Sequence, residues 1–143
     1  MRRRLNKVRL GISQLIVSGL AVEMATRDSL SFLKSRRLRN RSEYERVRRD
    51  GSTRHGKLLM LNVAPMENSG PSRAGFVTSR RLGGAVVRNR VRRRLREIVR
   101  QHQHELRAGF CFVLIAKNPA VSARYRSLED EWLRLARRAS ILL

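Results

Sequence analysis

The sequence predicts an α+β domain in which about three helices pack on a small sheet. Three observations carry that expectation. Segments with helical and strand patterning follow one another in the order helix, strands, helix, strand, helix. The run FCFVLIA (110–116) is apolar on both faces of its two-residue repeat, the mark of a central strand covered by helices on at least one side. Apolar residues at Val87, Val91, Leu95, Ile98 and Val99 recur at helical intervals and form a single stripe.

Each element has a local reason. Ser42-Glu43-Tyr44-Glu45 has the spacing of a capping box, and the helix it opens runs to about Asp50, closed by Gly51, with Tyr44 and Val47 on one face. A short strand is expected at Ser52 to His55. Leu58 to Ala64 reads as a strand stopped by Pro65, MENSGPS as a turn, and Arg73 to Ser79 as a second strand paired with the first in a hairpin. Arg80-Arg81-Leu82-Gly83-Gly84 is a basic, glycine-bearing loop. An arginine-rich helix follows from about Val86 to Leu106, and Gly109 ends the connection to the central strand. Pro119 starts a loop. Ser127 and Asp130 give a second capping pattern, for a last helix with Leu128, Trp132, Leu135, Ala136 and Ala139 on one side.

The 143 residues, 41% of them hydrophobic, suit one domain with a real core and exclude a disordered basic tail. Residues 1–27 are expected to be a poorly structured extension ahead of a domain at 28–143. Its basic start and apolar run mimic a signal peptide. The run is too short and too interrupted by Ser13, Gln14 and Ser18 to span a bilayer, and no small-residue cleavage site follows. Met24 is a plausible alternative start. The single cysteine, Cys111, reads as a small buried hydrophobe and suits a reducing, cytoplasmic setting.

Charge narrows the function. Lys and Arg total 33 against 11 acids, a net charge of +22. Such an excess opposes compaction unless a polyanion answers it. The stretch 85–101 concentrates seven arginines with one acid, Glu97. Opposite its apolar stripe lie Asn89, Arg93, Arg96 and Arg100. Arg90 and Arg92 flank that row, and Arg88 and Arg94 sit near the core boundary. Guanidinium groups bind phosphate oxygens in pairs and stack on bases, and Asn89 can both donate and accept. The helix lacks the aromatic boundary of a membrane-surface helix, so nucleic acid is the expected partner and a membrane is not.

No protein-borne catalytic constellation is visible. His102 and His104 are two apart and point to different sides of a helix, His55 is remote, and a zinc site is not expected. Glu129, Asp130 and Glu131 are expected to complement the dipole of the last helix rather than bind magnesium.

The stretch VTSRRLGGAVVRNRVRRRLRE (77–97) resembles the signature of the bacterial ribonuclease P protein family, through Arg88-Asn89-Arg90, the upstream Arg80, Arg81 and Gly83, and the Ala-Val lead-in. LKSRRLRNRSEYERVRRDG (33–51) is similar to that family's opening helix, and the likeness extends from about Ser31 to Ile141. The resemblance implies an α-β sandwich on a mixed sheet with a left-handed βαβ crossover, against the general rule. It implies a protein subunit paired one-to-one with a catalytic RNA, assisting metal-dependent removal of the 5′ leader of precursor tRNA. The RNA and substrate would then hold Mg²⁺, and no small-molecule substrate is expected. It places Arg88, Asn89, Arg90, Arg92, Arg93 and Arg96 toward RNA, with Arg80 and Arg81 as further phosphate contacts; Arg100 joins the expected RNA-binding set from its place in the outward row of the helix. It places Tyr44, Arg48, Asn62, Phe76 and Thr78 in a leader cleft between the first helix and the open sheet face. Arg48 stands where relatives often carry a second aromatic, which favours a phosphate or cation–π contact there. The rival readings are a ribosomal-type RNA-binding module and a self-sufficient nuclease.

Overall fold

The structure, a computed structural model, describes residues 36–67 and 70–143; the extension expected over residues 1–27, with Met24, lies outside the described residues. Helix α1 (Arg41–Asp50) leads into strands β1 (Ser52–His55), β2 (Leu59–Pro65) and β3 (Arg73–Val77). A 3-10 turn at Arg80–Leu82 precedes α2 (Ala85–Gln101), and β4 (Phe110–Ala116) and α3 (Tyr125–Arg138) complete the order. The sheet runs β1-β2-β4-β3. β2 is antiparallel to β1 and β4, and β3 is parallel to β4. The mixed sheet and the α+β class are as the sequence implies, and the doubly apolar β4 takes an inner place.

The expected hairpin of β2 with β3 does not form. The connection between them is drawn across the start of β4: the Met66 N–H donates to the Gly109 carbonyl (2.7 Å) and the Gly109 N–H to that of Gly70 (2.8 Å). β4, with no polar face to expose, fills the slot between the two strands.

Alternation along the strands sorts the core into two layers. Ala64, Cys111 and Val113 face α1 and cluster with Leu38 and Val47, flanked by Tyr44, Met66, Val77 and Ile115. Cys111 is buried here as expected, and burial pushes its thiol up. On the other face Phe112 stacks on Trp132 of α3, ring centroids 5.3 Å apart. Val91, Leu95, Ile98 and Val99 of α2 are fully buried, and Val87 is half-buried against Gly83. The positive φ of Gly83 (139°) suits the turn that launches α2.

Several boundaries move. The capping box sits at Asn40–Glu43, two residues ahead of Ser42–Glu45: Glu43 Oε1 accepts from the backbone N–H groups of Arg39 and Asn40, 3.0 Å each. Glu43 also pairs with Arg73 of β3, an anchor that Glu45 lacks. Helix α2 ends at Gln101 rather than near Leu106, because 103–105 tighten into a 3-10 turn and Leu106 bridges to Leu142. The stretch after Pro119 is part of a 3-10 turn, Asn118–Val121. Helix α3 starts two residues before Ser127, so its acids miss the first turn and the dipole explanation fails for them. Glu131 is instead buried, accepting from the backbone N–H groups of Leu58 (2.5 Å) and Leu59 (2.6 Å) and from Arg134 (3.1 Å). Its carboxylate occupies the space a Cβ on Gly56 would need. Glu129 and Glu105 take the two ring nitrogens of His102, 2.8 Å each.

Two stability predictions follow from these anchors. Glu131→Ala strands two backbone donors, that of Leu59 buried and that of Leu58 half-buried, and lowers stability by about 2–4 kcal/mol in urea denaturation. Burial alone would lower the pKa of His102, but its two carboxylate partners raise it above the ordinary 6.5. A raised folded value means the contribution is complete below the unfolded pKa and fades as pH rises through the folded one. The stability lead of the wild type over His102→Asn is therefore larger near about pH 5.5 than near about pH 8.5.

Candidate nucleic-acid interface

Tyr44 is set by α1 and by a missing side chain. A Cβ on Gly75 would fall 2.6 Å from its ring, so only glycine in β3 lets the ring lie flat on the strand. The Tyr44 hydroxyl donates a long bond (3.4 Å) to the Leu38 carbonyl. Residues 36–38 extend the sheet beyond β3: the Leu38 N–H donates to Ala74 (2.8 Å), and the Ala74 N–H to Arg36 (2.9 Å). Arg36 is pushed down to about 10 by burial.

Beyond α1 the sheet face continues over Asn62, Met60, Ile115 and Val77. Asn62 is buried, with its Oδ1 accepting from Thr53 Oγ1 at 2.8 Å. Arg48 is exposed, one helical turn from Tyr44 on the same flank of α1. Tyr44, Arg48 and Asn62 are thus brought to one side of the sheet. Phe76 is not: it pairs with Leu114 in the register and shares that residue's face, opposite Tyr44. Alternation within β3 gives Gly75 and Val77 the cleft side, a parity that single-residue inspection missed. Thr78 is buried just past β3 and accepts from Arg92 Nη2 at 2.7 Å.

On α2, Asn89, Arg90 and Arg93 are exposed, as are Arg80 and Arg81 on the preceding turn. Arg92 links Thr78 to Asn89 Oδ1 (2.9 Å), joining strand end and helix face. Arg96 and Arg100, placed outward by the helical wheel, are half-buried. Arg100 pairs with Glu97, which holds that carboxyl below its usual range. Arg94 donates to the Ala123 carbonyl (3.2 Å). Arg88, Arg96 and Arg37 each have a buried Nε with no hydrogen-bond partner among the described residues. Such donors cost about 1–3 kcal/mol each when left unmet. Burial, then the like charges of Arg37, Arg92 and Arg93, hold Arg96 below the usual arginine value. Arg37 is the residue the sequence reading missed. Its only signal was one basic residue among many in 33–51.

The hollow on the other flank of α1 offers less to an anion. It is lined by Arg46, Arg49, Arg73 and Cys111, and those arginines already serve Pro65, Asp50 and Glu43. Among the described residues no cluster of three or more His, Cys, Asp or Glu side chains suits a metal ion, and no helix is long and apolar enough to cross a membrane.

Comparison with known proteins bears on the family and the fold. A family model described as Ribonuclease P matches residues 32–140. The ribonuclease P protein component of Roseiflexus castenholzii is 46% identical over 107 residues, covering 74% of this chain and 87% of the relative. That of Roseiflexus sp. strain RS-1 is 52% identical over 86 residues, covering 60% and 70%. The structure of the Staphylococcus aureus RNase P protein superposes with a TM-score of 0.70 at 19% identity, covering 76% of this chain and 98% of that one. The Thermotoga maritima RNase P protein gives 0.65 at 24%, covering 71% and 96%. At such identities the two structures speak to the fold.

The tight seat of Tyr44 is testable without RNA. Gly75→Ala forces the ring off the strand and costs about 1–3 kcal/mol by overpacking. Tyr44→Phe loses only the long hydroxyl bond and costs under about 1 kcal/mol. Equal losses in thermal denaturation would mean that the ring does not rest on Gly75.

Proposed function

The chain belongs to the ribonuclease P protein family and is a protein subunit of ribonuclease P, and we propose that in this role it binds the catalytic RNA one-to-one and the 5′ leader of precursor tRNA. The arginines of α2 bind RNA phosphates; Tyr44 stacks on a leader base, worth about 1–3 kcal/mol; Arg48 and Asn62 border the same cleft. The RNA carries the phosphodiester hydrolysis, and the protein favours substrate binding and leader placement in the cytoplasm.

One observation supports this above the rest: α2 presents Asn89, Arg90 and Arg93 to solvent, its half-buried Arg96 is near enough to Tyr44 for the two to interact electrostatically, and the helix's single carboxylate, Glu97, is spent on Arg100. Among the described residues the donor set does not fit a tightly held divalent ion. Glu43, Glu97, Glu105 and Glu129 are engaged by Arg or His, and Glu131 by backbone N–H groups. We therefore assign Mg²⁺ to RNA and substrate phosphates, and route no step through an ion on the protein.

The deciding experiment is cleavage of precursor tRNA at low Mg²⁺ with protein alone, RNA alone, and both. Efficient cutting by the mixture alone, leaving a mature 5′ end, is the expected result. No gain over RNA alone would favour a ribosomal-type RNA-binding role, and cutting by the protein alone a self-sufficient nuclease. The charged face has its own readout. Arg93→Ala with Arg96→Ala should flatten the dependence of log affinity on log salt by about 0.7–0.9 per arginine. An unchanged slope would mean that RNA lies elsewhere.

A further inference from the structure

Arg88, Arg92 and Arg96 follow one another at intervals of four and form one flank of α2. All three are half-buried, while Asn89, Arg90 and Arg93 beside them are exposed. The flank lies along the outer side of β3, because Arg92 reaches Thr78 just past the strand's end. A helix connecting two parallel strands runs back antiparallel to them. The step from Arg92 to Arg96, about 6 Å along the helix, therefore matches about two residues back along β3. That step reaches about Phe76, and Arg96 is near enough to Arg37 and Tyr44 for both to act on it electrostatically. Tyr44 rests on Gly75, and Arg37 bridges to Ala74. Three elements far apart in sequence thus converge at the outer edge of β3.

Arg37 is held there by its backbone. Besides the bridge to Ala74, its carbonyl accepts from Arg73 Nη2 at 3.0 Å. Its guanidinium is not needed for that anchorage. The Nε groups of Arg37 and Arg96 are both buried without a hydrogen-bond partner among the described residues. Glu43, whose partner Arg73 also donates to the Arg37 carbonyl, is taken by Arg73 and by two backbone N–H groups. The like charges of Arg37, Arg92 and Arg93 all bear on Arg96.

We infer that Arg37 and Arg96, with Arg92 at the rim, form a seat for one backbone phosphate of single-stranded RNA, next to the base that stacks on Tyr44. This deepens the proposed function and rests on it. A phosphate oxygen supplies these two guanidinium groups with an acceptor, which no described residue offers their Nε, and relieves their mutual repulsion. The phosphate could come from the leader or from the catalytic RNA. The proximity of Tyr44 favours the leader, since one nucleotide then spans ring and seat.

The test uses the reconstituted holoenzyme with Arg37→Ala and measures affinity for precursor tRNA, for mature tRNA and for the catalytic RNA. The expected result is about a tenfold loss on precursor tRNA, the size of one charge-assisted hydrogen bond, with mature tRNA and catalytic RNA unaffected. A methylphosphonate walked through the leader should weaken wild-type binding at one position and leave Arg37→Ala indifferent there. Arg37→Lys, which keeps charge without the fork, should recover only part of the loss. Equal losses on precursor and mature tRNA, or a methylphosphonate penalty that persists in Arg37→Ala, would overturn the seat. A loss confined to catalytic RNA would overturn the leader assignment. A wild-type holoenzyme with no preference for precursor over mature tRNA would overturn the proposed function, and the seat with it.

Discussion

Between β2 and β3 lies β4, hydrogen-bonded to both, and its parallel partner β3 cannot be reached by a short turn. The chain has to leave the end of β3, return along the sheet and enter β4 from the other end. Helix α2 is that return. Its apolar stripe is buried on the sheet, which leaves its arginines two directions: outward, or toward the edge of β3. The placement of one doubly apolar strand thereby decides where most of the helix's positive charge is presented.

The carboxylates complete the arrangement by being occupied. Glu43 caps α1 and holds Arg73. Glu131 satisfies the turn between β1 and β2. Glu105 and Glu129 clasp His102 at the far end of α2, and Glu97 neutralises Arg100 one turn before it. Acid is gathered toward the C-terminal end of α2 and base toward its N-terminal half. A polyanion approaching this surface meets a graded field, attractive near Arg88 to Arg93 and weaker near Arg100, which orients it before any contact is made.

Much of this was legible in the sequence where one residue type has one physical solution. The double-faced apolar run could only be an inner strand, and the stripe from Val87 to Val99 could only be a buried helix face. The capping sites were not legible in the same way, because 40–43 and 42–45 offer the same spacing, and the choice depends on Arg73, thirty residues on from Glu43. The hairpin failed because strand patterning does not say which strand is the neighbour. The displacement of Phe76 to the far face is a matter of parity: one residue along a strand exchanges faces. Arg37 was hidden for a different reason, since its meaning comes from a bridge to Ala74 that no local pattern announces.

Net charge alone overstates the capacity of such a protein for anions. Many of its arginines terminate backbone elements: Arg46 donates to the carbonyl of Pro65, Arg94 to Ala123, Arg107 to Leu142 and Arg73 to Arg37. Those side chains are spent on stability, and their charge acts only at long range. The ones left for recognition are positioned without being consumed. Arg92 uses Nη1 on Asn89 and Nη2 on Thr78, which restrains its long side chain in the free protein. Side-chain ordering costs about 0.5–1.5 kcal/mol for each group immobilised on binding. A guanidinium already restrained by folding has met that cost in advance. On the proposed reading the two kinds differ in their partners: backbone carbonyls hold the structural arginines, side chains alone hold Arg92, and Arg37 and Arg96 keep a buried Nε with no acceptor among the described residues.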